Sequence, residues 1–300
     1  MKSAFLIVAH GNFEMLKLLI KTLDYKNNDL YIHIDKKCGK IDYSQFESIA
    51  KYSKVECLRN RISVSWGGIS QPQATFLLLE RANGGGKYGY YHLISGVDFP
   101  LLTNEELDSF LNSHAGYEFV GFTNNKGDLP YKLGYYHFFN DGILKKLPCT
   151  TVLHALSLKV QRLLHIHQIT DFCKYAKGCN WWSITDELAK SLLKEKHSIL
   201  RRYRFTSCCD EIFLQTYMME HTYFLSKVYN ICDEYKSCMR LIDWQRGNPY
   251  VFKECDYVDL LNSKYFFARK FGSVKVIEEF AKLKYRDNTN NCNDRDKESC

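Results

Sequence analysis

Ala4-Phe5-Leu6-Ile7-Val8-Ala9-His10-Gly11-Asn12, followed by Phe13, Leu16, Ile20 and Leu23 at helical spacing and then by Leu30-Tyr31-Ile32-His33-Ile34-Asp35, decides the fold class of this chain. The short apolar run that breaks at His10-Gly11 reads as a first buried strand, and Asn12 stands where a helix cap is expected. The second apolar run reads as the next strand and ends on the carboxylate of Asp35. Further out, helical patterns over Ser44 to Tyr52 and Ser70 to Asn83 separate strand candidates at Val55 to Leu58, Ile62 to Val64 and Tyr90 to Ile94. This alternation predicts an α/β fold with a mainly parallel twisted sheet flanked by helices. In such sheets ligands collect at the carboxyl ends of the strands, where Asp35 and Asp98 fall. His10, also at a strand end, reads as a turn residue.

With 300 residues and 45% hydrophobic content the chain can bury a sizeable core. We expect a single domain over residues 1–285 and a polar, disordered tail from Arg286 to Cys300, rich in Asn and Asp. The net charge of +7 is spread along the chain, which suits an anionic ligand or acidic lipid head groups, and no nucleic-acid motif accompanies it. No stretch approaches the roughly 20 apolar residues of a membrane span, so the expected place is the cytoplasm. The twelve cysteines are scattered, without a C-x-x-C pair, and read as structural or free thiols. Gly84-Gly85-Gly86 is a flexible turn and lacks the spacing of a phosphate loop.

The chemistry concentrates in the second half. Asp210-Glu211 opens the apolar segment Ile212-Phe213-Leu214, and isolated cations follow at Arg246, Arg269 and Lys270. A carboxylate that takes a proton, with cations that meet a departing diphosphate, is what sugar transfer from a nucleotide requires. The same acids also suit a helix N-terminus, where the macrodipole favours negative charge. No D-x-D motif follows the expected strands; Asp294-Arg295-Asp296 has the spelling but sits in the polar tail.

His10-Gly11-Asn12, His33-Ile34-Asp35-Lys36-Lys37, Val64-Ser65-Trp66-Gly67-Gly68, His92 to Leu101, Asn180-Trp181-Trp182, Asp210-Glu211, Asp243-Trp244 and Phe267-Ala268-Arg269-Lys270-Phe271 occur in an order that resembles the core-2/I-branching N-acetylglucosaminyltransferase family, which includes peptide O-xylosyltransferases. The resemblance covers residues 3 to 280, and the chain is expected to resemble a bacterial, stem-less member. It implies a GT-A-type domain, an inverting mechanism, a UDP-sugar donor and activity without a metal or other cofactor.

Residue by residue, the resemblance implies Glu211 as general base and Lys270 as a cation facing the diphosphate. Arg246 matches the second cation only with one residue inserted, and Arg269 competes for either role. Asp35 matches the uridine contact or else caps a strand-to-loop turn. Trp66 and Gly67 are expected at the donor site. Asp98, Trp181 and Trp182 are expected at the sugar, with a structural turn and buried core rings as the alternatives; Asp210 reads as a cap. The implied partners are a UDP-sugar and a glycan acceptor, lipid-linked in surface polysaccharide synthesis, with peripheral contact to a membrane. The donor sugar expected from the resemblance is N-acetylglucosamine, with UDP-xylose or UDP-galactose as alternatives, and a non-catalytic sugar-binding protein remains the competing class.

Overall fold

Along β1 (Ser3–Ala9) side chains alternate between two cores: Ala4 and Leu6 face one, Phe5, Ile7 and Ala9 the other. A strand apolar on both sides belongs in the middle of a covered sheet, and β1 takes that place. The computed structural model describes the backbone of residues 1–295 and the side chains of residues 1–284.

In chain order, β1 is followed by α1 (Phe13–Leu23), β2 (Asn28–Ile34), α2 (Ser44–Glu47), β3 (Lys54–Cys57), α3 (Ser70–Gly85), β4 (Tyr90–Ser95), β5 (Phe99–Pro100) and α4 (Asn104–Ser113). The second half comprises α5 (Leu129–Gly134), α6 (Thr150–Leu163), β6 (Ser183–Thr185), α7 (Asp186–Arg202), α8 (Phe213–Glu220), α9 (Thr222–Leu225), α10 (Glu234–Cys238), β7 (Arg240–Ile242), α11 (Tyr257–Asn262), β8 (Phe267–Arg269) and α12 (Val274–Arg295).

The main sheet has the order β3-β2-β1-β4-β6, parallel except for β6, which runs antiparallel to β4. A small sheet, β5-β8-β7, packs beside it. One core layer joins Leu6, Tyr31 and Leu93 to Phe76 and Leu79 of α3, Leu188 and Leu192 of α7 and Leu214 of α8. The opposite layer joins Phe5, Ile32 and Ile94 to Leu16 and Ile20 of α1, Phe267 of β8 and Ile277 of α12. The mainly parallel α/β sheet expected from the alternation is therefore present. Its order reverses at β1, with β2 on one side and β4 on the other, which leaves a crevice at their carboxyl ends.

Several local expectations differ. Ile62 to Val64 forms no strand; its backbone is used as a loop against the end of β2, with Lys36 N donating to Ile62 O and Val64 N donating to Asp35. Asn12 precedes α1 in a left-handed conformation and its side chain caps nothing, donating to Met15 Sδ instead. The helix at Ser44 stops at Glu47, because Asp24 draws the amides of Lys51, Tyr52 and Ser53 into a turn. The ten cysteines among residues with described side chains are all free thiols. The domain boundary expected at 285 falls inside α12, and residues 296–300 of the expected tail lie outside the described residues. The side chains of Asp294 and Asp296 lie outside the described residues. No helix of the described residues is long and apolar enough to cross a membrane.

Candidate active site

Glu211 ends a one-turn 3-10 helix, Cys209–Glu211, just ahead of α8. The turn is entered through Cys208 in the left-handed region at φ 49°, a conformation that costs a non-glycine residue energy and needs support. Support comes from Gly67, whose carbonyl accepts from Cys208 N at 3.0 Å. Gly67 is itself at φ +71°, and a Cβ there would stand 3.4 Å from Cys208 Sγ, so glycine suits both the turn and the close approach. On the far side Gly178 N donates to Glu211 O at 2.9 Å. A Cβ on Gly178 would fall 1.9 Å from Gly121 O, which forbids any larger residue without a backbone shift.

The half-exposed Glu211 carboxylate is held by a residue the sequence reading did not single out. Lys132 of α5 donates from Nζ to Glu211 Oε2 at 2.5 Å and also pairs with Asp128 at 2.8 Å. Burial works against the Lys132 charge, yet Glu211 and Asp128 outweigh it and hold the amine above the ordinary lysine range. Lys177 also pairs with Asp128 at 2.8 Å. The spacing of Asp128 and Lys132 signals only a local i,i+4 pair; the link to Glu211 spans 79 residues and left no sequence signal.

Asp210 points the other way, into a cavity of about 30 Å³ bounded by Val8 at the end of β1, Leu93 of β4, Gln71, Asn180 and Trp181. Asn180 Nδ2 donates to its Oδ2 at 3.1 Å, while Oδ1 is sealed from solvent without a partner. Burial first, and the neighbouring Glu211 charge second, push this carboxyl up to about 7. Asp210 is thus more than the helix cap expected of it: no backbone amide of α8 bonds its side chain.

Trp181 carries the site across to the small sheet. The Arg269 guanidinium lies over its ring, 4.5 Å from the centroid, and donates to Asp98 Oδ1 at 2.8 Å and Ser95 Oγ at 2.6 Å. Asp98 Oδ2 accepts from Ser95 N at 2.7 Å, so both oxygens of this buried acid are engaged within the protein. Of the two roles open to Asp98, the observed contacts fit the structural turn. Lys270 follows Arg269, its backbone tied to Tyr250 and Phe252, and has no carboxylate within 4.0 Å among the described residues. Arg246 stacks over Tyr250, whose carbonyl accepts from Lys270 N, and so reaches the same corner. It is clamped by Asp243 and by Asp256 at 2.7 Å.

The remaining expected residues divide between site and core. Asp35 accepts from Lys37 N at 2.8 Å and Val64 N at 3.3 Å, with Lys37 Nζ 3.3 Å away, so the observed bonds match its reading as a turn cap at the end of β2. Trp66 is 81% exposed beside Gly67, and its carbonyl accepts from Lys145. Trp182, expected at the sugar, is instead a core ring at 1% exposure with no face to offer a ligand. Trp181, at 9% exposure, belongs to the same core layer but also borders the small cavity and carries Arg269 over its ring. A depression of about 620 Å³ lined by Lys21 and Glu105 contains none of these groups.

The family model described as "Core-2/I-Branching enzyme" matches residues 3–262. Xylosyltransferase 2 of Bos taurus is 24% identical over 305 residues, covering 94% of this chain and 33% of that protein. Xylosyltransferase sqv-6 of Caenorhabditis briggsae is 25% identical over 296 residues, covering 92% of this chain and 36% of its own length. The chain spans about a third of the length of the curated relatives it matches. A crystal structure of mouse Xyloside xylosyltransferase 1 in its apo form covers 91% of this chain and 99% of its own, with 9% identity and a TM-score of 0.34, a likeness too slight to bear on the fold.

Proposed function

This chain belongs to the core-2/I-branching enzyme family, and from that premise we propose that it transfers a sugar from a UDP-sugar to a hydroxyl of a glycan acceptor with inversion at the anomeric carbon. The observation that carries the reading is the meeting of Asp210, Trp181 and Arg269 at the carboxyl ends of β1 and β4, with Glu211 and Lys270 next to Asp210 and Arg269 in the chain.

Lys132 engages Oε2 of Glu211, and Oε1 has no hydrogen-bond partner among the described residues. In the proposed step Oε1 takes the acceptor hydroxyl proton as that oxygen bonds to the anomeric carbon, while the bond from that carbon to the diphosphate oxygen breaks. UDP leaves with the electron pair. Lys270 meets the charge that develops on the β-phosphate, Arg246 stands beside it, and Arg269 is held back by Asp98 as a support for Trp181. Side-chain cations take the place of a metal in this scheme, which has a GT-A-type domain as its frame. Asp35 and the Trp66-Gly67 turn border the donor.

We take β-linked N-acetylglucosamine as the first donor sugar and a lipid-linked polysaccharide intermediate as the acceptor. Xylose is the second reading, favoured by the xylosyltransferase names of the relatives.

Calorimetric titration in EDTA with UDP, then UDP-N-acetylglucosamine, UDP-xylose and UDP-galactose, tests the scheme. Selective binding of one UDP-sugar supports it and names the donor. Binding that needs manganese overturns the metal-independent step, and no binding under either condition favours a non-catalytic protein.

A further inference from the structure

From Gly142 to Thr170 the chain contains no Asp or Glu, yet it carries Lys145, Lys146, Lys159 and Arg162. The same stretch concentrates apolar exposure. Of the 22 large hydrophobic side chains exposed among the described residues, ten lie between Ile143 and Ile166. They include Ile143 at 82%, Val152 at 65%, Leu156 at 56% and Leu163 at 77%.

The cause is the orientation of α6. Its protein-facing stripe is largely polar: Gln161 donates to Tyr136 O at 3.0 Å and accepts from Tyr136 N at 2.8 Å, and His154 is bonded to His137 at 3.1 Å. Leu158 is its one buried large apolar residue. Polar bonds therefore clamp the helix to the body while Val152, Leu156, Val160 and Leu163 share the outer face. An ordinary surface helix does the reverse. Contiguous apolar surface of this kind marks a contact with something else.

We propose that α6 and the 143–147 turn before it form a docking surface for an anionic lipid bilayer, the outer leucines and valines entering the head-group boundary while Lys146, Lys159 and Arg162 meet lipid phosphates. Charge decides between occupants. A second copy of this face would set the cations of α6 against one another, with no acid within residues 142–170, whereas acidic lipid complements both the charge and the apolar band. The surface also reaches the candidate site. Lys145 Nζ donates to Trp66 O at 2.9 Å, and Leu144 lines a depression of about 360 Å³ with Gly68, Phe138 and Asn140. A bilayer on this face would bring lipid-borne substrates to the Trp66–Gly67 turn. Docking itself needs no sugar donor, so its failure and the failure of the transferase reading are separate results.

Co-sedimentation of the full chain with vesicles of phosphatidylcholine, alone or mixed with phosphatidylglycerol, tests this. Binding to the mixed vesicles should exceed binding to phosphatidylcholine at least about tenfold and weaken in high salt. Leu156→Glu combined with Leu163→Glu should lower it at least about tenfold, as should Lys146→Glu combined with Lys159→Glu. Circular dichroism should show both double variants folded, since all four side chains are exposed. Wild-type protein that stays in the supernatant with both vesicle types overturns the proposal, as does binding indifferent to both variants. So does a lipid-free dimer, seen by velocity sedimentation, that Leu156→Glu with Leu163→Glu disperses.

Discussion

Lys132 Nζ stands 2.5 Å from Glu211 Oε2 and joins the proposed base to α5, so the carboxylate that would take the acceptor proton is oriented by a cation from a different part of the chain. Glu211→Gln should lower turnover at least about 100-fold with donor affinity little changed. Full activity in that variant removes Glu211 from the mechanism.

Lys132→Met should lower kcat on the order of tenfold or more, while the KM for donor moves less than about twofold, because the lysine acts through Glu211. Lys132→Arg should recover part of the loss by restoring the charge. Steady-state kinetics on both variants decide it; a loss confined to donor KM would place Lys132 on the donor instead.

Lys270 and Arg246 share a corner but differ in their partners, since Arg246 already has two carboxylates. Lys270→Ala should weaken UDP binding and raise the transition-state barrier by about 2–4 kcal/mol. Arg246→Ala should act chiefly on stability, by leaving the buried Asp256 without its cation. Parallel UDP titrations and thermal melts test the assignment, and the opposite pattern exchanges the two roles.

Asp210 supplies a pH dependence. Its folded value of about 7 lies above the ordinary 3.8, so between these limits the folded chain keeps a proton that the unfolded chain has released. Its contribution to stability therefore falls as pH rises through that window, by ~2–4 kcal/mol in all. Asp210→Asn lacks this titration. The wild-type minus variant difference in urea unfolding free energy should decline between about pH 4 and about pH 8; a flat difference sinks the assignment.

The tryptophans separate core from surface. Trp182→Ala should cost about 3–5 kcal/mol of stability, while Trp66→Ala stays within about 0.5 kcal/mol. Thermal melts check both.

Much of this was legible because it is local. The apolar run of Ala4 to Ala9 sorts side chains between two layers wherever the strand lies, and the motif order pointed to the family whose model matches residues 3–262. Expectations failed where a distant group competes for the backbone. Ile62 to Val64 looked like a strand, but Lys36, His33 and Asp35 take the hydrogen bonds a neighbouring strand would need.

The sequence by itself determined the layering of the sheet, the carboxyl-end position of Asp35 and Asp98, and the family, because each is written in spacings of a few residues or in the order of motifs. Only the tertiary structure decided that Lys132 holds Glu211, that Asp98 holds Arg269 and that α6 turns its apolar face outward. Periodicity tells which side chains share a face; whether that face is covered, and which charge meets which, depends on packing between segments far apart in the chain.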